Sequence, residues 1–263
     1  MPVSCFLLKD HGQALLVDCG LPLHYASIAE DLKRLTADCH SVDMIMTRRE
    51  ADNILNLPAL ISALGIETVY CPGIIDPLDF FDTMDEKNAI AQIVAETRKT
   101  PKWLVPGASI AIGTLSLRVM RAEFRILSAS YLHEQSTGTF FGADSWGNLP
   151  QSDPSGMQIV REHTSALSAE EIIRTLEGRY EWMLGANLSV VRDTVQALRQ
   201  LQPLNRICGT FGSVIEGPET ISRIIDEVLR AFSILERRPL MDRLKGFDRA
   251  TYESALKAPA TVA

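Results

Sequence analysis

The sequence predicts an α/β protein in which helices cover packed sheets. Three observations carry this. Largely apolar runs such as Ala14–Asp18 and Val42–Met46 suit strands buried on both faces. Segments with helical spacing follow them, as at Ile28, Leu32 and Leu35. The strand-then-helix order then repeats in two halves, 1–100 and 101–235. With 263 residues, 46% apolar and 22% charged, the chain can bury a large core without disulfide staples.

The first element is a hairpin of Ser4–Leu8 and Ala14–Asp18 around Lys9–Gln13, where Asp and Gly suit a turn. Tyr25–Leu35 reads as a helix with Ser27 as N-cap and Glu30 closing a capping box. Val42–Met46 is a buried strand and Thr47–Asn53 a polar loop. Ile54–Leu64 is a helix that Gly65 stops. Thr68–Cys71 is a strand, Asp76–Glu86 an acidic surface loop, and 87–97 a helix. Ser109–Ile112 and Leu115–Met120 form a hairpin across Gly113-Thr114. Phe124–Leu127, Tyr131–Leu132 and Thr139–Ala143 extend the sheet, with His133 in a turn. Ser168–Leu176 and Tyr180–Leu201 are helical, Ile207–Thr210 is a strand, and Pro218–Leu235 is a long amphipathic helix. Residues 1–238 are thus expected to form one domain, and 239–263 a helical segment and a frayed tail.

Lys and Arg total 26 against 33 for Asp and Glu, a net charge of −7. Nucleic acid and anionic membranes call for a basic field, so neither is an expected partner. No apolar run reaches the roughly eighteen residues of a membrane span, and the N-terminus lacks a signal-peptide pattern. The five cysteines are scattered and never form C-x-x-C, which suits buried thiols in a reducing, cytoplasmic setting.

Several segments together resemble the metallo-β-lactamase fold, and in particular the diiron domain of flavodiiron and oxygen-binding diiron proteins. Leu15–Gly20 is similar to the strand of that family that ends in Asp-Thr-Gly or near it. Val42–Thr47 followed by Arg48-Arg49-Glu50-Ala51-Asp52-Asn53 and Leu57-Pro58-Ala59-Leu60 resembles the strand, metal-ligand motif and helix of that family. Thr137–Gly147 resembles the turn carrying the metal-bridging Asp, here Asp144. Ile207–Val214 resembles the strand leading to the last ligand. The resemblance spans about residues 3–216 and implies a four-layer αββα sandwich. It further implies one or two strands before Ser4–Leu8 and a flavodoxin domain after residue 235, both expected to be missing.

The same resemblance aligns Arg48, Asn53, Arg125 and Phe211 with histidine ligands, and retains only Glu50, Asp52 and Asp144. Arginine has no lone pair to give a metal and does not deprotonate in proteins. Carboxylates left without metals at ~4 Å repel by roughly 4 kcal/mol at an effective dielectric of 20, and two guanidinium groups would relieve that. The expectation is therefore a salt-bridged pocket of Arg48, Glu50, Asp52, Asn53, Arg125, Asp144 and Phe211, with no catalytic residue and no cofactor. If any metal binds, Glu50, Asp52 and Asp144 would hold it. The implied function is a non-catalytic sensory, regulatory or interaction module that forms a homodimer, meets a protein partner or takes a small anionic ligand. The alternatives are a diiron or other divalent-metal oxidoreductase, with His133 or His163 lending ligands, and a hydrolase of anionic esters.

Overall fold

The computed structural model describes residues 3–74, 76–85, 87–122, 128–146, 159–161, 168–180, 187–238 and 250. The chain divides into two compact units, residues 1–162 with 201–221 and residues 163–200 with 222–263. The described elements form a mixed α/β architecture of two sheets and seven α-helices.

The first unit holds both sheets. Strands β1 (Phe6–Asp10), β2 (Gln13–Val17), β3 (Ser41–Ile45), β4 (Val69–Pro72) and β5 (Lys102–Leu104) form a five-stranded sheet in that order. The β1–β2 pair is antiparallel and the remaining pairs are parallel. The hairpin loop shrinks from the expected five residues to His11 and Gly12. Both have positive φ, 48° and 74°, as a two-residue hairpin turn requires.

Strand β2 shows why its run is apolar throughout. Leu15 and Val17 enter a core shared with the second sheet, while Ala14 and Leu16 enter a core shared with the helices. Full burial of each such Leu or Val side chain is worth ~1.5–3 kcal/mol.

Helices α1 (Tyr25–Leu35), α3 (Leu57–Leu64) and α4 (Ala89–Thr97) cover the helix-side core through Ala29, Leu32, Leu57, Leu60, Ile61 and Val94. The Tyr25–Leu35 boundaries match the periodicity, but the cap differs. His24 is the N-cap, and Ser27 lies inside the first turn with its hydroxyl donating to the His24 carbonyl.

The polar stretch after β3 is partly helical, because α2 (Ala51–Ile54) forms there. The helix expected over Ile54–Leu64 restarts at Leu57. Pro58 cannot donate within a helix interior but is tolerated in a first turn, and the Asn56 amide is engaged by the Cys19 and Gly20 carbonyls. Gly65 ends α3 in the left-handed conformation, φ 63°. The acidic segment contains a 3-10 helix, Pro77–Thr83, that buries Leu78 and Phe81. Its one-face aspartates Asp76, Asp79 and Asp82 gather around the Arg98 guanidinium, so the segment is tied down and not merely solvated.

The second sheet contains seven strands in the order β10 (Ile159–Val160), β12 (Val214–Glu216), β11 (Arg206–Cys208), β9 (Thr139–Phe141), β8 (Ser130–Glu134), β7 (Leu115–Arg121) and β6 (Ser109–Ile112). The strand expected at Phe124–Leu127 lies outside the described residues. Asp10 of β1 bridges the sheets by accepting hydrogen bonds from the Thr114 backbone and hydroxyl in the β6–β7 turn, at 2.5 and 2.6 Å.

The second unit contains α5 (Ala169–Arg179), α6 (Leu188–Leu198) and most of α7 (Pro218–Arg237). Ser168 and Asn187 cap α5 and α6 by accepting from Glu171 and Ser189. Asn187 therefore begins a new helix within the span expected to be continuous from Tyr180 to Leu201. Among the described residues no helix is long and apolar enough to cross a membrane.

Candidate functional site

The site forms where β2 and β3 of the first sheet end and meet the second sheet. Asp18 follows β2 with φ 61°, a left-handed turn that Asp tolerates better than most residues. The residue is 1% exposed. Its carboxylate accepts from the Thr47 backbone (2.8 Å), the Thr47 hydroxyl (2.8 and 3.0 Å), the Asn53 amide (2.7 Å) and the Thr210 hydroxyl (2.7 Å). A buried carboxylate needs such a set of donors, since burial without partners is costly. The result joins β2, the β3–α2 loop and the segment after β11 at one atom pair.

That hub orients the loop bearing Arg48. Asn53 donates to both Asp18 and the Arg48 carbonyl, and Arg48 forms an isolated bridge with Ala129. The Arg48 side chain is 1% exposed, yet its two carboxylate partners are each 28% exposed. Nη1 donates to Glu50 Oε2 at 2.6 Å and to Asp52 Oδ1 at 2.8 Å, while Nη2 donates to Asp52 Oδ2 at 2.8 Å. The fork on Asp52 is bidentate, the strongest geometry for such a pair. The Phe211 ring lies beneath the guanidinium, 5.1 Å from centroid to Cζ, a cation–π contact. Burial opposes the charge of Arg48, but the hydrogen bond to Asp52 and the charges of Asp144, Asp52 and Asp18 outweigh it and raise its pKa.

Asp144 completes the group at longer range, with Oδ1 4.0 Å from Arg48 Nε. It follows Ala143, whose φ of 49° is unusual for a residue with a side chain. The approach is tight. A Cβ on Gly142 would sit 2.7 Å from Trp146 Cβ, so glycine is required there.

The structure therefore brings Arg48, Glu50, Asp52, Asn53, Asp144 and Phe211 together, with Arg48 bonded to Glu50 and Asp52 more closely than to Asp144. Arg125 lies outside the described residues, as does His163. His133 is no turn residue. It lies buried in β8, with Nε2 2.9 Å from the Pro203 carbonyl. Asp18, Thr47 and Thr210 were not singled out from sequence as site residues. The available signal was an acidic residue ending a run of buried apolar positions, which must find donors.

No protein-family model matches the chain, and no curated protein does. Solved structures do. The flavodiiron protein of Giardia intestinalis aligns at 14% identity and TM-score 0.57 over 88% of this chain and 51% of its own. The chemotaxis sensor ODP of T. denticola, in its apo state, aligns at 16% identity and TM-score 0.58, over 86% of this chain and 84% of its own. A peroxy diiron species of ODP aligns at 17% identity and TM-score 0.60, over 86% and 87%.

The fold is the metallo-β-lactamase-like fold of these diiron proteins.

The chain spans about half the length of the flavodiiron protein it matches. The neighbours also correct one expectation. They are diiron proteins, which points to iron as the group to consider in this fold, where no cofactor was expected. The arrangement of this chain's own side chains is a separate matter. Among the described residues no three His, Cys, Asp or Glu side chains are grouped to hold a metal ion, and the two carboxylates nearest the centre bond a guanidinium. A pair of irons requires several lone-pair donors on all sides, which Arg48 and Phe211 do not offer. As arranged, these residues do not fit two irons.

Proposed function

We propose that this chain is a sensory or regulatory module built on the diiron-domain scaffold, with a salt-bridged cluster at the place of the metal site. The observation that carries this reading is the fully buried Arg48 side chain, bonded to Glu50 and Asp52 and backed by Phe211. Coverage adds support, since the chain matches the chemotaxis sensor ODP over most of both lengths. In this reading the protein is cytoplasmic and its output is contact with a second copy or another protein. A small anionic ligand is a further input.

The test uses full-length protein incubated anaerobically with ferrous iron and then mixed with oxygen and a reduced flavin donor. The expected result is oxygen uptake no faster than the donor alone, with a dimer or partner complex seen by light scattering and pull-down. Sustained donor-driven oxygen or NO consumption favours the second reading, an iron-dependent oxidoreductase, which the diiron neighbours support. Such consumption, or a monomer that captures no partner, overturns the sensory reading.

A further inference from the structure

The fold's neighbours are diiron proteins, yet in this chain the carboxylates at the centre of the site already hold a cation. Arg48 Nη1 is shared between Glu50 and Asp52, and Nη2 takes the second oxygen of Asp52. Both Asp52 oxygens are thus engaged. We infer that Arg48 competes with divalent metal ions for Glu50 and Asp52, so that a metal reaches them only when the guanidinium withdraws. This rests on the function proposed above and adds its regulation.

Three features make the competition effective. The guanidinium does not lose its proton in proteins, so it cannot vacate by deprotonation and must move. Movement is opposed because the loop is anchored at both sides of Arg48, through Thr47 on Asp18 and through Asn53 on the Arg48 carbonyl. A divalent ion beside a buried guanidinium also meets like charge in a medium that screens poorly. The two carboxylates remain partly open to solvent, so the route by which an ion would approach exists.

The experiment titrates wild type, Arg48→Ala, Arg48→Gln and Arg48→Lys with ferrous iron anaerobically and with cobalt(II) as a coloured probe. Folding is checked by circular dichroism. Arg48→Ala and Arg48→Gln are expected to bind metal at least about tenfold more tightly than wild type. Arg48→Lys, which keeps the charge, is expected to gain little. Folded Ala and Gln variants that bind no more tightly than wild type overturn the inference, as does a Lys variant that gains as much as they do. Wild-type protein that takes up a full equivalent at micromolar metal overturns it whatever the variants do. Failure here leaves the oxygen-uptake and partner tests of the sensory reading unaffected.

Discussion

The Thr210 hydroxyl donates to Asp18 Oδ2 at 2.7 Å across a separation of 192 residues, joining the end of β2 to the segment after β11. With Thr47 and Asn53 it saturates a carboxylate that would otherwise be buried without partners. Asp18→Ala would leave those donors orphaned and is expected to destabilise the protein by about 3–5 kcal/mol. Thr210→Val removes a single bond and should cost about 1–2 kcal/mol. Urea denaturation measures both, and an Asp18→Ala loss under 1 kcal/mol would contradict the hub.

The Arg48 cluster should behave as one unit. Removing both hydrogen-bonded carboxylates, as Glu50→Gln with Asp52→Asn, leaves the buried guanidinium with only the more distant charges of Asp144 and Asp18 and is expected to cost about 3–5 kcal/mol. A double-mutant cycle of Arg48→Met and Asp52→Ala should give a coupling of roughly 1–3 kcal/mol. Coupling near zero would show that the bidentate geometry contributes little in solution.

Glu134 gives a pH dependence with a definite sign. Its carboxylate accepts hydrogen bonds from the backbones and hydroxyls of Ser136 and Thr137. Burial opposes its charge, but the bonds from Thr137 and Ser136 prevail and lower its pKa. Its stabilisation is therefore present above the unfolded-state value of about 4.3 and is lost as pH falls through the lower folded value. The urea midpoint should drop on acidification below about pH 4.5. Glu134→Gln should lower stability at pH 7 by about 1–2 kcal/mol and flatten that acid limb.

The thiols should be slow to react in the folded protein. Burial pushes Cys71 and Cys208 up to about 12 and Cys5 up to about 11, and raises Cys19 well above the ordinary value. Since the thiolate is the nucleophile, iodoacetamide at neutral pH should label native protein mainly at the partly exposed Cys39. All five cysteines should label in urea. Fast native labelling of Cys71 or Cys208 would contradict the packing.

Much of the fold and part of the site were legible in sequence, each for a local reason. Periodicity reports which faces of an element meet apolar surroundings, so α1 and the β6–β7 hairpin fall close to where the pattern places them. The loop motif around Arg48, Glu50 and Asp52 was legible through its resemblance to the metal-ligand motif of the diiron family, which a short stretch of chain is enough to carry. The α2–α3 break was less so, since the carbonyls that engage Asn56 come from Cys19 and Gly20 after β2.

The sequence by itself determined the alternation of strands and helices and the Gly65 stop, and through its resemblance to the diiron family it implied a cluster of an arginine among carboxylates. Only the tertiary structure decided that Arg48 bonds Glu50 and Asp52 in preference to Asp144, that Phe211 lies beneath it, and that Asp18 is the point where distant segments meet. The reason is that charge and periodicity are properties of a short stretch of chain. A buried polar group is satisfied by whichever donors sheet packing delivers, from anywhere along it.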